Sequence, residues 1–466
     1  MNTDQPSPAT KQASSCPAAP TDDPLDFGTL ASAQRIDLAQ LPALERIVRR
    51  WQTAHGSRVS FVEARELDIL DVVLRFDAGS RLDGDSPGLA AATLYMLDQG
   101  AGDYDAQGLA TALEELGAQF NREVHLDHAT LSLRCLATAA VREPAVHLLT
   151  TLLGRPHFTA PALDKIKARL LAHLSQLDGN PASVMQRAVM THVFADHPYA
   201  AHVHGTTAGV QALAAQDLHA FYSRAYSANN VEIALVGNLS PDQAQALAQT
   251  LSDALPQHWA ALPPAPPQTY EATRREWAGV GSTQAVLAMP LLLRPDDADY
   301  EAVLLGCDVL GSSLDSRLMG ELRTRRSLTY SIRATPTLWR AGGMLKVEWD
   351  VAAEYAEASR RLVLELIDCL LEQGPSSAEL LRVLNLRVVQ LLLKAARNDQ
   401  RAAWLTEHGQ WGLPADYLAE HLDRLAAVTP QQVAPALRRW IDTRRMSFFS
   451  IGPRAAQQRL PDLDDA

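Results

Sequence analysis

The sequence has only four cysteines in 466 residues, Cys16, Cys135, Cys307 and Cys369, and no C-x-x-C pair. Spacing this wide argues against a zinc knuckle or a disulfide framework and leaves buried or idle thiols. No run approaches the ~18 consecutive apolar residues that a membrane helix requires. Positive charge is not in excess: 42 Lys and Arg against 54 Asp and Glu give a formal charge of -12. That balance disfavours nucleic acid and anionic membranes as partners and is compatible with basic peptides. The N-terminal stretch MNTDQPSPATKQASSCPAAPTDDP is polar and Pro-rich and lacks the apolar core of a secretory signal, so a disordered tail on a cytoplasmic protein is expected. There is no G-x-S-x-G elbow and no Cys/His nucleophile context, which disfavours a Ser or Cys hydrolase.

What is present is a soluble, globular balance, 47% hydrophobic and 21% charged, on a chain long enough for two domains. The Pro-rich stretch LPQHWAALPPAPPQTYE divides it nearly evenly and reads as a semi-rigid linker. The expected organisation is a tail and lead-in over 1–55, a first domain over 56–254, a linker over 255–272, a second domain over 273–455 and a C-terminal tail over 456–466.

The two halves repeat one order of elements. In the first, VSFVEARELDILDVVLRFDAG reads as a hairpin of two strands, followed by an apolar helix, GLAAATLYMLDQG. A second helix, GLATALEELG, places Leu109, Ala112, Leu113 and Leu116 on one face with Gly117 as its stop. In ATLSLRCLA, Leu131, Leu133 and Cys135 alternate against Thr130, Ser132 and Arg134, the period of a strand. The second half offers the strand TQAVLAMPLLL, the helices YEAVLLGCDVLG and SRLMGELRTRR, and the strands LTYSIRAT and GMLKVEWDV. Each half closes with long amphipathic helices and a last strand, VEIALVGNL or MSFFSIGP. This predicts an α+β protein of two tandem homologous domains, each a mainly antiparallel sheet packed against clustered helices.

The apolar helix GLAAATLYMLDQG carries the main clue. Ser86 is expected to cap it, with Pro87 at its first position. Its side chains are apolar nearly all round, which implies burial. In this context the chain resembles the pitrilysin/insulinase family of zinc metallopeptidases, whose corresponding helix bears H-x-x-E-H. Two His at i and i+4 share a helix face and can hold one zinc, and the Glu between them handles the proton of the zinc-bound water. Here those positions are Ala91, Leu94 and Tyr95, and the family's third-ligand position falls on Ala172. The resemblance therefore implies a chain that binds no zinc in the family manner. The histidines of THVFADHPYAAHVHG, His192, His197, His202 and His204, form no i, i+4 pair around an acid and read as surface or hydrogen-bonded loop groups. His125 and His128 flank a turn and are read likewise.

The second half retains LRTRRSLTY, in which Leu322, Arg323, Leu328 and Tyr330 match the family context L-R-x-x-x-x-L-x-Y. In zinc-bearing relatives a phenol at this position donates to the developing oxyanion and a guanidinium clamps substrate carbonyls. The bland reading is that Arg323 joins Arg325 and Arg326 as helix-end cations and that Tyr330 is an ordinary strand aromatic. Matched at this spacing, the pair favours the functional reading. The resemblance spans about 56–453. It implies the non-zinc, Arg/Tyr-bearing subunit of a heterodimeric peptidase of bacterial or mitochondrial-processing type. Such a chain has no cofactor of its own, a homologous zinc-bearing partner, and unfolded peptides as substrates bound against a strand edge in a shared chamber. The alternative is a structural or assembly subunit similar to the core proteins of respiratory complexes.

Overall fold

Alternation along a strand determines what each of its faces meets, and here most central strands are buried on both. The computed structural model describes residues 47–267 and 270–461; the expected N-terminal tail falls largely outside them.

The strands of the first half are β1 (Arg49–Gln52), β2 (Arg58–Glu63), β3 (Ile69–Phe76), a short hairpin of β4 (Gly100–Ala101) and β5 (Tyr104–Asp105), β6 (Gln119–Val124), β7 (Ala129–Leu136) and β8 (Val231–Gly237). Six of them form a sheet in the order β1-β2-β8-β3-β7-β6. The second half contributes β9 (Arg274–Ala278), β10 (Thr283–Leu291), β11 (Ile332–Thr337), β12 (Gly343–Val351) and β13 (Ser447–Gly452), ordered β11-β12-β10-β13-β9. Pairing is antiparallel except β2 with β8 and β9 with β13. The α+β architecture of two mainly antiparallel sheets with clustered helices is as the sequence implied.

One pairing differs from expectation. β2 and β3 are not a hairpin, because β8 lies between them, parallel to β2 and antiparallel to β3. The inserted strand is buried along its whole length, so the intervening turn spans a strand's width instead of reversing on itself.

One face of the first sheet packs on helices of its own half. Leu70, Val72, Leu74 and Phe76 of β3 and Val231, Ile233 and Leu235 of β8 join Leu94, Leu152, Leu170 and Phe221 in a continuous core. The opposite face receives a helix from the second half, Asn398–Trp411, whose Ala402 and Leu405 pack on Val62, Val73, Ala234 and Val236. The exchange is reciprocal. Helix Pro181–Val193 of the first half lays Met185, Val189 and Val193 against Val286, Ala288, Met344 and Phe449 of the second sheet.

A buried polar clasp accompanies this exchange. The Tyr199 hydroxyl donates to Asp127, the backbone N–H of Ala341 donates to the Tyr199 oxygen at 3.0 Å, and that of Arg340 donates to Asp127 Oδ2 at 2.9 Å. Asp77 accepts ion pairs from Arg81 of its own half and Arg340 of the other. The Pro-rich connection is pinned rather than free: the backbone N–H groups of His258 and Ala261 donate to Asn229 Oδ1 and Asn230 Oδ1, both at 2.8 Å. Cys135 and Cys307 are buried free thiols, whereas Cys369 is disulfide-bonded and not the idle thiol expected.

Candidate functional site

The apolar helix runs Leu89–Met96 and buries every residue except Tyr95, which is half-buried. Its start differs from the sequence expectation. The carboxylate of Asp83, not Ser86, accepts the N–H groups of Gly88 (2.7 Å) and Ala90 (2.8 Å). Burial pushes the Asp83 carboxyl up to about 7, and the two N–H donors oppose that shift. Ser86 takes part through its backbone: its N–H donates to the Asp83 carbonyl at 3.0 Å and its carbonyl accepts the Leu89 N–H at 3.1 Å. Close approach fixes the neighbourhood: Gly205, at φ +76°, lies so near Pro87 and Gly88 that a Cβ would stand 2.4 Å from their backbone. This contact seats the HVHGT loop on the helix start and carries His204 to Tyr95.

Of the four positions to which the sequence resemblance assigns the zinc motif, Ala91 and Leu94 are fully buried in the core. Ala172 is exposed on helix Ala160–Asp178, which packs against helix Leu89–Met96. Tyr95 alone carries a polar atom. Its phenol lies 3.3 Å from His204 Nε2, and its pKa is raised by burial despite the nearby Arg122 and Arg169. A neutral phenol and three aliphatic side chains do not suit a zinc ion, which takes thiolate, imidazole or carboxylate donors. Among the described residues no group of three or more His, Cys, Asp or Glu is placed to hold a metal.

The loop histidines are mostly hydrogen-bonded, in line with their sequence reading. His192 and His197 each reach a backbone carbonyl at 2.9 Å, of Glu271 and Ala265 respectively. His202 and His204 form a cluster with His173 around Tyr95. Burial, and then the neighbouring His173, holds His204 down to about 4. His125 and His128 lie with ring centres 4.5 Å apart and planes tilted by 32° in the turn after β6.

In the second half, Leu318–Thr324 does not make an ordinary amphipathic helix; a π-helical turn, Met319–Thr324, ends it and leads to Ser327, whose φ is +51°. Leu322 and Leu328 are buried. Between these anchors Arg323 is half-buried, and Tyr330, just before β11, is 77% exposed. The structure brings the two together: Arg323 Cζ lies 4.7 Å from the centre of the Tyr330 ring. Arg325 and Arg326 pair instead with Glu321. The Arg323/Tyr330 pair borders an open cavity of about 760 Å³ whose lining includes Ser282, Thr329, Asp350, Glu354 and Pro453. Thr329 Oγ1 donates to the Ser331 carbonyl at 2.8 Å and lies 3.2 Å from Asp350 Oδ1, which fixes the backbone on both sides of Tyr330. The C-terminal segment supports one wall, with Gln457 Nε2 donating to the Ala353 carbonyl and Gln458 N–H to the Glu354 carbonyl, both at 2.8 Å. Nothing in the local pattern of that segment announces this role.

Comparison with known proteins identifies the lineage. A solved structure described as the peptidase M16 inactive domain from Pseudomonas fluorescens superposes with a TM-score of 0.85 at 34% identity, covering 89% of this chain and all of that one. The chain belongs to peptidase family M16. The family model described as insulinase, peptidase family M16, matches residues 60–207, and that of the M16 inactive domain matches 212–386. A non-peptidase homologue from Helicobacter pylori is 25% identical over 65% of this chain and 70% of its own length. An uncharacterized zinc protease of Streptomyces coelicolor is 25% identical over 82% and 85%. Within this M16 lineage the present chain is a catalytically incomplete subunit. Among the described residues no helix is long and apolar enough to cross a membrane.

Proposed function

We propose that this chain is the non-zinc subunit of a heterodimeric M16 endopeptidase, supplying Arg323 and Tyr330 to a centre whose zinc belongs to a homologous partner. The observation that carries the reading is a contrast. The metal positions hold three aliphatic side chains and a phenol, yet the Arg/Tyr pair stands intact at the mouth of an open cavity, with Tyr330 77% exposed. A phenol held this way has no hydrogen-bond partner among the described residues and is available to a substrate carbonyl. Stacking of Arg323 on the ring restricts both side chains before substrate arrives.

Chemically, the zinc in the partner supplies the activated water, while this chain's residues bind and orient. The Tyr330 O–H donates to the oxygen on which negative charge develops, and Arg323 holds a neighbouring carbonyl. Unfolded peptides are the substrate class, bound extended along a strand edge inside the chamber the two chains enclose. The description of the Helicobacter pylori relative as a non-peptidase homologue agrees with a chain inactive alone.

The test is reconstitution with an M16 chain that carries H-x-x-E-H. Activity on an unfolded peptide is expected only in the mixture. Tyr330→Phe should lower turnover about a hundredfold, the effect of about 3 kcal/mol for one oxyanion donor, with association unchanged. Undiminished turnover in Tyr330→Phe and Arg323→Ala mixtures would reduce the chain to a scaffold.

A further inference from the structure

Where the family would hold a metal, this chain gathers cations. Two guanidiniums flank the Tyr95 ring, Arg122 from β6 and Arg169 from helix Ala160–Asp178, each 5.5 Å from its centre. His204 stacks on the same ring at 6.2 Å and 11°, and His173, one turn beyond Arg169, meets His204 edge-on at 4.8 Å. Arg122 pairs with Asp98, yet its buried Nε has no hydrogen-bond partner among the described residues. Arg169 has neither an ion pair nor a hydrogen bond there, and it is exposed. The cluster therefore carries one uncompensated, solvent-exposed guanidinium, that of Arg169, beside a polarisable ring and the partly buried Arg122. That is a site for an anion with planar, bidentate oxygens.

The backbone beside the cluster defines which anion. Among the described residues β6 is the outer strand of its sheet, paired on one side only, with β7. Phe120, Arg122 and Val124 share the more buried side of β6, against which helix Leu89–Met96 packs. A peptide extended along that free edge brings a carboxylate to Arg122 and Arg169 while its backbone hydrogen-bonds to β6. We infer that the former metal centre is a carboxylate-binding site that anchors the C-terminal carboxylate of an extended peptide between Arg169, Arg122 and Tyr95. The inference rests on the reading of this protein as a peptide-binding M16 subunit, but it requires no partner chain.

The test is binding to the full chain alone. A short, fluorescently labelled unfolded peptide with a free C-terminal carboxylate is compared with its C-terminal amide by anisotropy. The wild type should bind the acid about tenfold more tightly than the amide, the scale of one charge-assisted hydrogen-bonded pair. Arg169→Ala, a change at an exposed position, should bind both peptides equally, and Arg169→Lys should recover part of the preference. Equal binding of acid and amide by the wild type, binding of neither, or a preference retained in Arg169→Ala would overturn the inference. Inorganic phosphate that competes as strongly as the peptide acid would assign the cluster to small anions and overturn it too. Failure of reconstitution with a zinc-bearing chain leaves these results standing, and their failure leaves reconstitution untouched.

Discussion

Replacing Tyr199 with Phe removes one oxygen from the centre of the molecule. Tyr199 is fully buried, and its ring packs edge-on against Phe194 at 5.6 Å and Trp339 at 5.8 Å, contacts a phenylalanine keeps. The hydroxyl is the sole loss. It donates to the buried Asp127 and accepts the Ala341 N–H, so it joins the first half to the β11–β12 turn of the second. Asp127 retains the Arg340 N–H at 2.9 Å and an ion pair to Arg81 at 3.5 Å, which limits the damage at the carboxylate. A hydrogen bond to a charged group contributes about 1.5–3 kcal/mol, and the orphaned Ala341 N–H costs about 1–3 kcal/mol more. The expected destabilisation is about 3 kcal/mol, measured as a shift in urea midpoint at constant slope. Because the clasp joins the halves, a loss of cooperativity between them would also fit, seen as separation of the fluorescence and circular-dichroism transitions. A change below about 0.5 kcal/mol with coincident transitions would refute the clasp as a structural link.

Two further outcomes follow from the helix start. Gly205→Ala should cost roughly 2 kcal/mol or more, since it combines positive φ with contact against backbone, and it should expose His204 to chemical modification; an unchanged thermal midpoint would contradict this close packing. Asp83→Asn tests the buried carboxylate. A folded-state pKa raised from 3.8 to about 7 means the native state holds the proton more tightly, so this group's favourable contribution is present at low pH and is lost as pH rises through about 7. The stability of Asp83→Asn relative to wild type should therefore improve between pH 5 and pH 8, by at most a few kcal/mol, since each tenfold gain in proton affinity on folding is worth about 1.4 kcal/mol. A difference independent of pH would show that the two backbone donors keep Asp83 ionised throughout.

Local elements were legible where periodicity and a stop signal coincide. The strand Ala129–Leu136 alternates buried and half-buried as its residues do, helix Tyr300–Gly311 has the bounds its apolar run implies, and Gly117 takes the positive φ of a helix stop. Non-local facts were hidden. Nothing in residues 59–79 announces that β8 inserts between β2 and β3. The helix exchanged onto each sheet is equally silent, because an apolar face does not specify which half covers it. Asp83 outcompetes Ser86 at the helix start because the chain folds back there, a matter of tertiary geometry and not of capping preference. Of the candidate site, the spacing of Arg323 and Tyr330 was visible and their stacking was not. The cluster at Tyr95 draws Arg122, Arg169 and His204 from three separate segments, which only the fold unites.

In the proposed function this M16 chain contributes to peptide cleavage without a metal of its own. Metal analysis of the purified chain, after equilibration with a modest excess of zinc and removal of the unbound ion, tests it most directly. No stoichiometric zinc and no hydrolysis of an unfolded peptide by the chain alone are expected. About one tightly held zinc per chain, accompanied by peptidase activity that a chelator abolishes, would contradict it.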